Sequence, residues 1–285
     1  MNWGRAKTIL IILFLATDLF LLLVLMRTKT QEMQIPRETV ENAVTIMASG
    51  GIYMDAESIP KRRIENRSMI MRNLFHEPEQ AAKQFLGETV TTVIADTEQY
   101  VYKYESPLGR LFVEKDKFLY QRAEEKLPYR MHPLPEKEAV IAVTASALQT
   151  MGFPKNSFKI VTLHQEEGIY TMEAVPVVDG VQVYGIRMHI QTDSRGILSI
   201  SGHWFEAVGA ENNEPDMLLD ITTVLVEATL KRQMPQMEIA SVSHAYYASD
   251  DFLNSRELAA VPVYVICDTL GNKYMFDARV GSKVE

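Results

Sequence analysis

Apolar residues run almost unbroken over residues 8–26, TILIILFLATDLFLLLVLM, with Asp18 the single charge among 19 positions. Wound as a helix, this run is about 28 Å long, close to the roughly 30 Å hydrocarbon core of a bilayer. A cleaved signal peptide has a shorter apolar core followed by a small-x-small site. Here Arg27, Thr28 and Lys29 follow instead. The pattern predicts an uncleaved transmembrane anchor over 8–26, a tail over 1–7 and a juxtamembrane linker over 27–36. Arg5 and Lys7 precede the run and Arg27 and Lys29 follow it, so the positive-inside count is nearly balanced. A very short leading tail before a long segment with no second span favours a cytoplasmic N-terminus. The expected placement is therefore the cell membrane, single-pass, with the bulk outside.

Beyond the linker the apolar spacing alternates between two periods. Residues 37–49 read as a helix with Val40, Ala43, Val44 and Met47 on one stripe, ended by Gly50-Gly51. Three later helices each open on acidic residues. One leads from Glu77-Pro78-Glu79 through Ala81, Ala82, Phe85 and Leu86 to Gly87. The next leads from Pro135 to Lys137 and Glu138, through Val140, Val143, Ala147, Leu148 and Met151 to Gly152. The last starts near Asp216–Asp220 and runs through Ile221, Val224, Leu225 and Ala228 to Lys231-Arg232. Acids at the start, with bases or glycine at the end, suit the helix dipole and its caps.

Each of the three is followed by strand-like runs. They are expected at 89–95, 99–105, 110–114 and 117–122, then at 158–164, 169–175, 181–192 and 197–206, then at 239–248, 259–268 and 273–280. Asp179-Gly180 signals a hairpin, and Asp193–Gly196 and Leu270-Gly271-Asn272 signal turns. Gln182, Tyr184, Ile186, Met188 and Ile190 are expected on one face of a single strand, and Leu198, Ile200 and Trp204 on one face of the next. One buried and one wet face imply antiparallel sheet covered by helix on one side. The grammar is α+β, a few helix-plus-meander modules rather than a parallel doubly wound sheet. Three prolines in residues 127–135 place a connection between an N-terminal lobe, 37–130, and a C-terminal lobe, 131–285. Residues 209–215 form a softer junction.

Composition narrows the function. The net charge is −8, and the pI is acidic, which argues against a nucleic-acid partner. Setting aside Arg5, Lys7, Arg27, Lys29 and Asp18 leaves 25 basic and 36 acidic residues, so the soluble part does not favour lying flat on an anionic membrane. The one cysteine, Cys267, excludes an internal disulfide framework. The histidines at 76, 132, 164, 189, 203 and 244 lack metal-ligand spacing on a helix. No G-x-S-x-G elbow or Walker loop occurs. The acid pairs Glu77/Glu79, Glu124/Glu125 and Glu166/Glu167 read as helix starts and surface, and Lys61-Arg62-Arg63 reads as a solvated loop. The Tyr100/Tyr102/Tyr104 stripe, Tyr246-Tyr247 and Trp204 fit packing or a docking surface. No catalytic residue, metal site, cofactor or small-molecule ligand emerges, and a non-enzymatic, tethered binding role is expected.

Asp18 is the unusual residue of the anchor. A carboxylate at the bilayer centre costs about 2.5–3.5 kcal/mol on insertion scales. Phe14, Leu21, Leu22 and Leu25 share its helical stripe, with Thr17 at the margin. One reading is a contact face for another membrane protein, with Asp18 and Thr17 as polar contacts. A protonated acid tolerated in a simple anchor accounts for the same residue.

Met1, Asn2, Trp3, Ala6, Lys7, Thr8 and Asp18 match a short lead and midspan acid that resemble the start of the YycI (WalI) family. Residues 40–60, a helix, a glycine and then Ile59-Pro60 before basic residues, are similar to the family's next block. The segment PVVDGVQVYGIRMHIQTDSRGILSISG is similar to YycH/YycI C-terminal lobes and, more loosely, to PepSY-type domains. The resemblance implies a membrane-anchored accessory of the WalK/WalR (YycG/YycF) two-component system of low-GC Gram-positive bacteria. It further implies action with a YycH-like protein on the sensor histidine kinase that governs cell-wall metabolism, through transmembrane contacts, with inhibition the expected sign. A homo- or heterodimer is compatible with it. The rival expectation is a tethered PepSY-like inhibitor or chaperone of an extracellular protease, acting through its sheet.

Overall fold

The computed structural model describes residues 3–32, 34–61, 67–115, 117–123, 137–211, 218–249 and 255–284, and in the first helix the side chains of 7 and 10–26. The chain begins with α1 (Trp3–Glu32), α2 (Arg37–Ser49), β1 (Ile52–Tyr53), β2 (Met69–Asn73) and α3 (Pro78–Leu86). A meander follows: β3 (Thr91–Asp96), β4 (Val101–Ser106), β5 (Gly109–Glu114) and β6 (Lys117–Arg122). Next come α4 (Lys137–Thr150), β7 (Phe158–Glu166), β8 (Ile169–Val178), β9 (Val181–Tyr184), β10 (Met188–Asp193), β11 (Gly196–Gly202) and β12 (Phe205–Ala210). The last elements are α5 (Ile221–Leu230), β13 (Met237–Tyr247), β14 (Glu257–Asp268) and β15 (Lys273–Asp277).

These residues form two compact units. The first comprises Met1–Glu65, Pro215–Ser243 and Tyr264–Glu285, and the second Asn66–Glu214 and His244–Val263. The expected division at 130/131 thus falls inside the second unit. The proline-rich stretch 127–135 lies outside the described residues. One boundary of the units, at 214/215, does fall in the polar stretch expected as a softer junction.

In the first unit α2 and α5 share a core. Val40 and Met47 of α2 bury against Ile221, Val224, Leu225 and Ala228 of α5, with Tyr264, Ile266 and Phe276 from the strands. The expected α2 stripe is the buried one, with Val44 partly buried. Asp220 caps α5 by accepting a hydrogen bond from the Thr223 amide at 2.9 Å. β1 pairs in parallel with β13, and β15 pairs with β14.

In the second unit, two helix-plus-meander modules join through their last strands. The strand order is β7-β8-β10-β11-β6-β5-β4-β3. Every neighbouring pair in it is antiparallel. The order is a palindrome: β3–β6 follow α3, β7, β8, β10 and β11 follow α4, and β6 pairs with β11. One face of this sheet is packed by Ala81, Ala82, Phe85 and Leu86 of α3 and by Val140 and Leu148 of α4. An aromatic chain binds the layers. Phe75 stacks on Phe118 at 4.0 Å, Phe85 meets Phe153 at 5.5 Å, and Phe153 meets Trp204 edge-on at 5.2 Å. A smaller cluster gathers Met71, Val183, Ile186, Phe205, Tyr246 and Leu258.

Two expected faces are revised. The expected strand 181–192 is two strands, broken at Gly185, whose φ of +88 no side-chain-bearing residue adopts without strain. The break shifts the alternation, so Val183, Ile186, Met188 and Ile190 are buried while Gln182 and Tyr184 are only half-buried. A register shift between Gln191 and Thr192 likewise puts Ile197, rather than Leu198, beside Ile200 and Trp204 in the core. The Asp179-Gly180 hairpin has φ of 50 and 82, both positive as a type I′ turn requires.

Candidate functional site

α1 is 30 residues long, about 45 Å at helical rise. Leucine, isoleucine and phenylalanine dominate its middle, and no proline interrupts it. Every described side chain in it is exposed. Its large apolar residues between Leu10 and Met26 are 45–68% exposed, so none of the described residues covers them. Phe14, Asp18, Leu21, Leu22 and Leu25 lie on one stripe by their spacing, with Thr17 beside it. The Thr17 hydroxyl donates to the Leu13 carbonyl one turn back, at 2.9 Å. Its donor is therefore used within the helix, and only its oxygen is left to accept from a partner. Asp18 has no ion-pair partner among the described residues. Among the described residues, no helix is long and apolar enough to cross a membrane. The apolar run is described over 10–26, and the side chains of Thr8 and Ile9 lie outside the described residues.

The second candidate surface is the face of the eight-stranded sheet opposite α3 and α4. Register aligns one residue from each strand into a row: Ile94, Lys103, Phe112, Leu119, Ser201, His189, Glu173 and Thr162. The Lys103 ammonium lies 5.5 Å from the Phe112 ring centre, and His189 Nδ1 lies 3.5 Å from a Glu173 oxygen. Alternation alone shows that these residues face away from the helices. That β6 lies beside β11, and so brings the two halves of the row together, is a long-range pairing with no local signal.

A tight electrostatic join lies at the end of that pairing. Arg122 of β6 grips Asp193 at the β10–β11 turn with two hydrogen bonds, 3.1 and 2.7 Å, and Arg195 adds backbone and side-chain bonds. Partial burial pushes the Asp193 carboxyl up, but these bonds outweigh it and hold it at about 2, against an ordinary 3.8. A depressed carboxyl stabilises the fold fully above its unfolded value, and the contribution is lost as pH falls through the folded one. The shift corresponds to about 2 kcal/mol. Asp193→Asn is expected to lower the urea midpoint at neutral pH. The gap to the unaltered chain should close as pH falls from about 4 to about 2. A gap that persists undiminished at the acid end would show that the pair contributes little.

The remaining sequence candidates are dispersed. Cys267 is half-buried in β14. His164 and His244 are exposed, and His76 and His203 half-buried, while His132 lies outside the described residues. Among the described residues, no three of His, Cys, Asp and Glu gather as a metal site would require. Glu77 and Glu79 sit at the start of α3, and Glu166 and Glu167 at the β7–β8 turn, whereas Glu124, Glu125, Arg62 and Arg63 lie outside the described residues. Tyr104 and Tyr246 are buried, and Tyr102 stacks on Tyr104 at 6.3 Å.

What the fold defines is an α+β protein with a large sheet and, among the described residues, five helices. No family model matches the chain, and no curated protein matches it. Among solved structures it is similar to an uncharacterized protein from Eubacterium rectale, 10% identical, with 86% of this chain and 98% of that one covered and a TM-score of 0.46. It is also similar to the YpeB C-terminal domain of Bacillus megaterium, 11% identical, with 75% of this chain and 97% of that one covered and a TM-score of 0.39. At TM-scores below 0.5, neither likeness carries a functional conclusion.

Proposed function

We infer that the chain is a membrane-anchored, non-enzymatic regulator of a WalK-type sensor histidine kinase. It acts with a YycH-like partner, as a negative regulator, with its N-terminus in the cytoplasm and its folded part outside. The reading rests on the resemblance at Met1–Thr8 and Asp18, and on one observation above all: the uncovered apolar surface of α1. A helix that is apolar all round is stable when buried or within lipid. Left in water, this one would forfeit on the order of 20 kcal/mol of burial. Regulation then needs no turnover. A partner that binds one kinase conformer more tightly by a few kcal/mol shifts the population toward it. The stripe of Phe14, Asp18, Leu21, Leu22 and Leu25, with Thr17, is the face that would contact the kinase's own helices.

A membrane two-hybrid assay with full-length chain, residues 1–36 alone and residues 37–285 alone tests this against a WalK-type kinase and a YycH-like protein. The full chain and the anchor are expected to score with the kinase, and Asp18→Leu to weaken the signal several-fold. If neither gives a signal, or if residues 37–285 fractionate and act like the full chain, the anchored reading is wrong.

The rival, a tethered PepSY-like inhibitor or chaperone of an extracellular protease, is favoured by the helix-free face of the eight-stranded sheet. It predicts that residues 37–285 protect or inhibit a protease without the anchor.

A further inference from the structure

Each edge of the eight-stranded sheet carries a bulged valine. The β3–β4 register shifts at Val93 and the β7–β8 register at Val161, and the two side chains are 48% and 43% exposed. The two edges otherwise differ. β7 carries Lys159 and His164, exposed charge-bearing or polar residues of the kind that guard an edge. β3 carries no charge over Thr91, Thr92, Val93, Ile94 and Ala95, and all five are exposed. No described strand pairs with its outer side. Alternate backbone N–H and C=O groups therefore face outward along an uncharged edge.

Beside this edge is a groove of about 620 Å³ between β3, β4 and the start of α3, lined by Thr92, Ala95, Tyr102, Tyr104, Glu77 and Glu79 among others. The stacked rings of Tyr102 and Tyr104 contribute to its wall. Lys83 also lines it, but is engaged with Glu79 at 3.1 Å. Glu77 has no ion-pair partner among the described residues. The sequence holds no lysine or arginine between Lys83 and Lys103, while Glu88, Asp96 and Glu98 flank the edge. Edge and groove together are uncharged along residues 91–95 and acidic at the side-chain site.

We propose that β3 is a docking edge for an extended segment of a partner protein that alternates apolar and basic residues. The segment adds as a strand to β3, and its basic side chain enters the groove over Tyr102, the half-buried ring of the pair, toward Glu77. Main-chain bonds supply affinity and the groove supplies selectivity. A guanidinium suits the site because it stacks on tyrosine faces and pairs with carboxylates. The bulge at Val93 interrupts the ladder and confines docking to a short segment, which limits end-to-end association of copies. This assignment goes beyond the anchor and kinase reading and does not depend on it.

The test uses the full-length chain in detergent micelles and a capped hexapeptide alternating valine and arginine. Hydrogen exchange over residues 84–106 is expected to slow by about tenfold at β3 on adding the peptide. A glutamate-for-arginine version should bind about tenfold more weakly, and a version N-methylated on alternate amides should give no protection. Glu77→Gln with Glu79→Gln should remove most of the arginine preference while lowering the unfolding midpoint only slightly, since both side chains are on the surface and lose only a helix-start charge and the exposed Glu79–Lys83 pair. Protection at β7 instead of β3, or equal binding of the arginine and glutamate peptides, overturns the proposal. So does protection of β3 without any peptide in a chain that sediments as a dimer, which would assign the edge to a second copy.

Discussion

Trp204→Ala is expected to lower the unfolding free energy by about 3–5 kcal/mol, the cost of emptying a large aromatic site that the core cannot refill. Trp204 is fully buried and meets Phe153 edge-on, and Phe153 in turn touches Phe85 and Phe158. The residue therefore ties α3, the turn after α4 and the loop after β11 into one core. Its indole N–H has no hydrogen-bond partner among the described residues. Trp204→Phe should accordingly cost far less, about 1–2 kcal/mol, since volume is lost but no bond is broken. Urea unfolding of both variants followed by circular dichroism makes the comparison. Equal losses for alanine and phenylalanine would show that the N–H makes a bond, and a loss below about 1 kcal/mol for alanine would show that the site collapses.

Gly185→Ala is expected to destabilise the second unit by about 3 kcal/mol or more, from two separate causes. The φ of +88 strains any residue with a Cβ, and an added Cβ would collide with the Ala248 carbonyl oxygen. That carbonyl belongs to the chain segment whose amide, at Ala248, donates to the Tyr184 carbonyl at 2.9 Å. Relief of the clash would break this close approach and expose Val183, Ile186 and Tyr246, which pack there. Trp204 and Trp3 are the two tryptophans of the chain, so the emission of Trp204 in urea reports the second unit. An unchanged midpoint would mean that the β9–β10 break yields readily. Gly180→Ala is a useful contrast: an added Cβ there meets nothing within 4 Å, so only the strain of its φ of +82 remains.

The functional consequences follow from two surfaces that the fold leaves uncovered. α1 offers apolar area all round with one acid at midspan, which suits lipid and a neighbouring helix. β3 offers backbone bonds beside an acidic, tyrosine-lined groove, which suits an extended basic segment. On the proposed reading, α1 would hold the chain near a membrane partner and β3 would read a second chain. Tethering raises the effective concentration of the edge without any added contact. Loss of regulation on altering α1 with β3 binding intact, or the reverse, separates the two roles.

Helix α2 and the cores of α3 and α5 are legible in the residue order, because an amphipathic stripe depends only on neighbours three and four positions away; in α4 Val140 and Leu148 are buried as expected, but Val143 is 58% exposed and Thr144 fills the buried place instead. Most strands and the Asp179-Gly180 turn were legible for the same local reason. The apolar run of α1 and the isolated Asp18 also need no tertiary context to be noticed. Short-range spacing did not reveal β1 or β2, which have two and five residues and owe their form to partners far along the chain. Nor did it reveal the break at Gly185, since the burial of Ala248 against it is set 63 positions away. The same holds for the pairing of β6 with β11, the grip of Arg122 on Asp193 and the uncovered side of β3. Alternation assigns a face to each strand, but which strand lies beside it, and which edge stays open, depends on the sum of contacts across the whole core.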